Sequence, residues 1–245
     1  MDVPTRMERV LVTGASRGIG RAVAEQLLTR GRRVAAVARD AASLDSLIQK
    51  SDGHAIAIEA DLAHASEVER VVARAVDGLG GIDALIACAG IAHHRPLSEI
   101  DTAHIDAYHA LHVRAPLLLS RDLAEHLRER SASGGIVFVS STLALRGVPN
   151  TSAYAASKGA LISLTRALSV ELAPRIRVSC VVPGAIDTDM IRGTRSEEDV
   201  AALAALHPLG RLGQPSEIAE AICYLLDARF TTGTVLTVDG GITAA

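Results

Sequence analysis

The chain has 245 residues, 49% of them apolar and 22% charged, with a formal net charge of −3. This allows one large α/β domain with a substantial core and gives no electrostatic reason to expect nucleic acid or an anionic membrane as a partner. No stretch approaches the ~18 continuous apolar residues of a membrane span and no apolar leader precedes the first strand-like run, so a soluble, cytoplasmic protein is expected.

Short apolar runs predict strands at Arg9–Thr13, Arg33–Ala38, Ala55–Ala60, Ala84–Cys88, Gly135–Ser140, Arg177–Val182 and Thr234–Val238. Each of the first five is followed by a stretch of helical period, the longest running from about Thr102 to Arg130 and from about Ser152 to Leu172. Strands alternating with helices imply a doubly wound parallel sheet of seven strands with helices on both faces, in a single domain over residues 1–245. Between Gly184 and Gly210 the pattern loosens, and the segment at about 185–210 reads either as a lid over a site or as an ordinary surface loop. Cys88, Cys180 and Cys223 lack metal-ligand spacing and read as buried free thiols.

After the first strand comes Thr13-Gly14-Ala15-Ser16-Arg17-Gly18-Ile19-Gly20, and then a helix beginning near Arg21. Glycines at this spacing permit a tight turn and close backbone approach, so that a pyrophosphate can sit on the unpaired N–H groups of the helix N-terminus. Tyr154 and Lys158 lie four apart in a helical stretch, which puts both on one face. With only three tyrosines and two lysines in the chain, such a pair arises by chance in roughly 2% of comparable sequences. Bringing a phenol from a pKa of about 10 to about 7 requires about 4 kcal/mol of preferential phenolate stabilisation, to which a neighbouring ammonium contributes. Ser141, thirteen residues before Tyr154, ends the fifth strand; strand alternation points its neighbour Ser140 the other way.

Taken with Asp61-Leu62, Ala89-Gly90, Pro183-Gly184 and Val238-Asp239-Gly240-Gly241, these motifs resemble the short-chain dehydrogenase/reductase family over nearly the whole chain. The resemblance implies a Rossmann-like fold and an oxidoreductase that interconverts a carbonyl and a secondary alcohol. Ser141, Tyr154 and Lys158 would be its catalytic residues. Gly14, Ser16, Arg17, Gly18, Ile19, Gly20, Arg39, Asp61, Leu62, Ala89, Gly90, Tyr154, Lys158, Pro183, Gly184, Ile186 and Thr188 would hold the cofactor, with Ile186 backbone and the Thr188 hydroxyl on the carboxamide. Arg39, nineteen positions beyond Gly20, stands where an arginine pairs a 2′-phosphate and an acid accepts from a ribose, which favours NADP(H) over NAD(H). Asp40 serves a ribose instead if the strand ends one residue later. Asp61 is expected on the adenine, with an ordinary helix N-cap as the alternative.

Two departures matter. Ala87-Cys88-Ala89-Gly90 stands where the family often has Asn-Asn-Ala-Gly, and His112 takes the place of its fourth catalytic residue, an asparagine that holds water behind the lysine. His112 reads either as a replacement proton relay or as a packed helix residue. Six of the nine histidines fall between His93 and His126, but without partners at ligand spacing no metal is expected, and His93 and His94 are placed at the pocket rim. Among family substrates a 3-oxoacyl thioester comes first, with Arg128, Arg130 and Arg175 as candidate contacts for an acyl carrier protein, and with Leu143, Leu145, Ile186, Met190, Ile191 and Leu206 as an apolar pocket. A sugar, polyol or secondary-metabolite alcohol is the alternative, and a cofactor-binding regulatory protein with vestigial catalysis is the alternative of another class. A homotetramer is the family expectation.

Overall fold

A computed structural model describes residues 6–193 and 195–244. All seven expected strands form: β1 (Arg9–Thr13), β2 (Arg33–Ala38), β3 (Ala55–Glu59), β4 (Ala84–Ala87), β5 (Gly134–Val139), β6 (Ile176–Pro183) and β7 (Val235–Val238). They build one sheet in the order β3-β2-β1-β4-β5-β6-β7, and every neighbouring pair is parallel. The helices are α1 (Gly18–Thr29), α2 (Asp45–Gln49), α3 (Ala65–Leu79), α4 (Thr102–His109), α5 (Ala115–Glu129), α6 (Ser152–Glu171), α7 (Asp189–Arg192), α8 (Glu197–Ala205) and α9 (Pro215–Asp227).

Strand alternation divides the core into two layers. Leu11, Val37 and Leu85 face one side, where Val71 of α3, Leu123 of α5 and Leu161 of α6 cover them. Val10, Val12 and Ile86 face the other, against Val23 and Leu27 of α1, Leu47 of α2 and Ile222 of α9. The strand order reverses between β1 and β4, which run side by side with Val12 opposite Ile86. A crevice opens at such a switch point beyond the carboxyl ends of the strands. The turn after β1 and the Ala89-Gly90 segment after β4 therefore meet there.

Gly14 has φ +67°, and a Cβ on it would stand 2.9 Å from Ala89 Cα; a Cβ on Gly20 would stand 2.2 Å from the Gly14 carbonyl oxygen. Both obstacles are backbone, which cannot rotate out of the way. The expected long helix after β4 is present but not uniform. Between α4 and α5, residues Ala110–Arg114 form a wide π-turn, in which the Ala115 amide donates to the Ala110 carbonyl five residues back. Pro116 has no N–H to give the carbonyl of His112, so the ordinary ladder is interrupted there.

Replacing Gly20 with Ala is expected to lower stability by about 1–3 kcal/mol through overpacking, read as a reduced urea midpoint at unchanged slope, and to weaken nucleotide binding.

Candidate active site

The glycine-rich turn offers α1 as an anion site. Arg17 precedes the helix without capping it, no acidic residue occupies the first turn, and the leading N–H groups lack a side-chain acceptor. The Thr13 hydroxyl accepts from the amides of Cys88 and Ala89, both at 3.1 Å, and ties this turn to the end of β4. A Cβ on Gly18 would lie 3.3 Å from Thr188 Cγ2, so the segment after β6 closes the same crevice. A nucleotide thus fits the backbone that is present: an uncapped helix end, close glycines and three strand ends converging. Ser16 and Ile19 lie within this turn, with Ile19 packed on the core beneath it.

At the end of β2, Arg39 and Asp40 are both exposed. The Asp40 carboxylate accepts from the Ala42 amide at 3.0 Å and caps the turn Ala41–Leu44, so β2 ends before it and its carboxylate is turned to local structure. Asp61 is not the helix N-cap of the alternative reading, because α3 is preceded by His64. Its carboxylate accepts from the Ala63 amide at 2.9 Å, and Leu62 is buried beside it. Beyond β6, the Thr188 hydroxyl donates to the Ile186 carbonyl at 3.2 Å, so the two groups expected on a carboxamide hydrogen-bond each other. The Gly184 amide continues the pairing with the Val238 carbonyl after Pro183.

His207 pins this turn. It is 3% exposed, its Nε2 accepts from the Ala185 amide at 3.2 Å, and its Nδ1 lies 2.9 Å from the Leu203 carbonyl at the end of α8. The expected lid at about 185–210 carries α7 and α8, with Thr194 outside the described residues.

Helix α6 brings the catalytic candidates together. Ser141 lies close enough to Tyr154 for its hydroxyl to lower the phenol's pKa, and its Oγ also accepts from the Leu143 amide at 3.2 Å. Lys158, 5% exposed, donates from Nζ to the Val139 carbonyl at 2.9 Å, with Nζ 5.9 Å from the centre of the Tyr154 ring. Ser140 points away from the phenol and donates instead to the Lys158 carbonyl at 2.7 Å. Burial sets the protonation. It pushes the Tyr154 phenol up to about 12 against the lowering effect of Ser141, and pushes the Lys158 ammonium down to about 8. The protein alone therefore does not activate the phenol, and Tyr154 holds its proton.

His112 is 1% exposed and sits in the wide turn. Its Nε2 accepts from the Ile91 amide at 3.0 Å, which leaves the ring proton on Nδ1, 2.9 Å from Ser157 Oγ. Ser157 donates onward to the Tyr154 carbonyl at 2.7 Å. Burial, followed by the charge of Lys158, pushes the imidazole down to about 2. Ser157 belongs to this network and the Tyr108 ring packs beside His112 with centroids 5.4 Å apart; both were silent in the sequence. The spacing of Tyr108 four residues before His112 was the available signal.

Other expected site residues lie elsewhere. Arg128 and Arg130 end the run of α5, and the Arg175 carbonyl accepts from the Gly134 amide at the start of β5. They stand at the amino edge of the sheet, about 20 Å of strand away from Ser141, so they do not face the site. Ile186 is 6% exposed and packs in the core rather than lining a pocket, while Leu145, Met190 and Leu206 are exposed. His93 and His94 are exposed as expected at the rim, and Cys88 is half-buried, unlike Cys180 and Cys223. No metal-binding group of three His, Cys, Asp or Glu side chains occurs among the described residues. Nor is any helix among them long and apolar enough to cross a membrane.

An imidazole kept neutral in the fold but protonated in the unfolded chain stabilises the protein above its unfolded pKa of about 6.5 and loses that contribution as pH falls. From about pH 6.5 downward, the wild type is expected to lose about 1.4 kcal/mol per pH unit more than His112→Asn. Urea unfolding at pH 7 and pH 5 measures the difference.

Comparison with known proteins agrees with this fold. A family model described as enoyl-(acyl carrier protein) reductase matches residues 14–243. L-xylulose reductase of Bos taurus is 38% identical over the full length of both chains. The structure of a 3-ketoacyl-(acyl-carrier-protein) reductase from Brucella melitensis in complex with NADH has a TM-score of 0.90 at 32% identity, covering 96% of this chain and 98% of the other. A blue fluorescent protein from a metagenomic library, in complex with NADPH, has a TM-score of 0.88 at 34% identity, covering 96% and 97%. With a family model matched over residues 14–243 and a relative 38% identical along the whole chain, the chain belongs to the short-chain dehydrogenase/reductase family of oxidoreductases.

Proposed function

We propose that the protein is an NADP(H)-dependent carbonyl reductase and secondary-alcohol dehydrogenase. The observation that carries this reading is the placing of buried Lys158 with its Nζ 5.9 Å from the Tyr154 ring, beside Ser141, at the sheet edge where the uncapped α1 stands. Gly14, Ser16, Gly18, Ile19 and Gly20 would hold the pyrophosphate. Asp61, Leu62, Ala89 and Gly90 would lie along the adenosine and ribose, and Pro183, Gly184, Ile186 and Thr188 at the nicotinamide. Bound in this way, NADPH supplies the hydride.

The chain's own residues do the rest. Ser141 and Tyr154 turn their hydroxyls to the substrate carbonyl oxygen, and Tyr154 gives up its proton as negative charge develops there. A phenol held well above neutrality is ready for that donation. Lys158 stabilises the phenolate left behind and would hold the ribose hydroxyls of a bound cofactor, which a compact ammonium does better than a guanidinium. His112 acts as a neutral strut rather than a titrating relay, since its Nε2 is committed to Ile91. The 185–210 segment covers the substrate, and a homotetramer would bury exposed Leu117 of α5 and Val170 of α6.

The cofactor preference rests on exposed Arg17 and Arg39 and on the diversion of Asp40 to its own turn. For the substrate, the 3-oxoacyl thioester loses its proposed carrier-protein contacts to the far edge of the sheet. The likeness to L-xylulose reductase gives weight to a polar ketone.

Tyr154→Phe is expected to lower turnover at least about 100-fold with the NADPH dissociation constant little changed. NADPH oxidation with a panel of sugars, simple ketones and acetoacetyl thioesters reads this out. Wild-type inactivity on the whole panel with tight NADPH binding would instead favour a regulatory cofactor-binding role. The ratio of kcat/KM for NADPH over NADH should exceed one. Arg39→Ser should cut it about tenfold, the loss of one charge-assisted contact, while Asp40→Ala leaves it close to the wild-type value.

A further inference from the structure

Tyr108 and His112 are four residues apart where α4 runs into the wide turn, so both reach toward the connection leaving β4. Tyr108 is 2% exposed, and its hydroxyl is used twice on one residue: it accepts from the His93 amide at 2.6 Å and donates to the His93 carbonyl at 2.7 Å. His112 takes the Ile91 amide two residues earlier. On the other side, the Arg95 amide donates to the Asn150 carbonyl at 3.0 Å, fastening the same connection to the segment that enters α6.

His94 lies between these fastenings. Its ring stands edge-on to Tyr154 with centroids 5.9 Å apart and planes at 61°, yet the residue is exposed. The Tyr108 ring meets Tyr154 at 5.9 Å and 75°. The clamp and the phenol it flanks are thus parts of one aromatic cluster, in which Tyr108 and His112 are buried, Tyr154 is half-buried and His94 is exposed.

We propose that Tyr108 is a positioning residue that fixes His94 beside the catalytic phenol, and that His94 hydrogen-bonds a hydroxyl on the carbon next to the substrate carbonyl. The site then selects hydroxyketones. This rests on the carbonyl-reductase reading above. The chemistry of the imidazole argues for a hydroxyl: burial, Arg195 and His93 all act to keep the His94 ring neutral. A neutral imidazole offers one donor and one acceptor, the complement of a hydroxyl group. A carboxylate would want donors only, and an alkyl chain neither.

The test uses NADPH-linked reduction of acetoin, 2-butanone and an acetoacetyl thioester by the full chain. Acetoin and 2-butanone differ by the one hydroxyl. The wild type should prefer acetoin, and His94→Leu should lower the acetoin-to-butanone ratio of kcat/KM at least tenfold, mainly through KM. His94→Gln, which keeps a donor and an acceptor, should restore part of it. Tyr108→Phe, which removes only the hydroxyl, should lower the ratio as well and speed amide hydrogen exchange at residues 91–95. A structural role alone would lower stability without moving the ratio. Equal losses on both ketones in His94→Leu, or a wild type that reduces 2-butanone or the thioester but not acetoin, overturns the substrate assignment. Unchanged exchange in Tyr108→Phe overturns the clamp. A wild type inactive on all three substrates defeats the reductase reading itself, and the exchange measurement still decides the clamp.

Discussion

Two crossed hydrogen bonds between β5 and α6 hold the site in place. Ser140 donates from its side chain to the backbone carbonyl of Lys158, and Lys158 donates from its side chain to the backbone carbonyl of Val139. Each bond satisfies a group that would otherwise be buried unpaired, at a cost of about 1–3 kcal/mol for the neutral partner and more for the charge. Because the two cross, the helix can neither slide along the strand nor rotate about its own axis without breaking one of them. The positions of Tyr154, one turn before Lys158, and of Ser141, next to Ser140, follow from this lock.

The same burial that makes the lock strong sets the electrostatics. Desolvation disfavours charge on either partner, raising the phenol and lowering the ammonium. Cys88 and Cys180 lie close enough to affect Lys158, but burial lifts their own thiols to about 12 and about 11. They are thus spectators held neutral. The chain supplies geometry and a low-dielectric setting, in which any added charge acts strongly.

Much of this was legible in the sequence, and the pattern of what was not is physical. Strands such as Arg33–Ala38 are buried on both faces and read as unbroken apolar runs, so their limits agree with expectation to within a residue or so. Gly14 and Gly20 were readable because backbone sterics at a tight turn admit no other residue. Bonds between a side chain and a distant peptide group leave no periodic trace. Tyr108 looked like any apolar helix residue until its hydroxyl met His93, and His207 looked like loop. The wide turn at 110–114 was in principle foreshadowed by Pro116, whose missing N–H can be answered by a kink, a break or a change of helical register. The arginines were misplaced because a position along the chain does not say which edge of a sheet a helix end will reach.

The imidazole of His207 gives the substrate side a property of its own. Its two nitrogens meet Ala185 and Leu203, so the stretch between them is a closed loop whose ends meet at one ring. For a flexible loop, closure entropy rises only slowly with length, by about 0.6 kcal/mol per doubling. On that scale a change in the length of this stretch costs little in closure entropy, apart from what α7 and α8 themselves contribute. The fold thereby separates a lock between strand and helix that must keep its dimensions from a stretch whose closure sets little limit on its length.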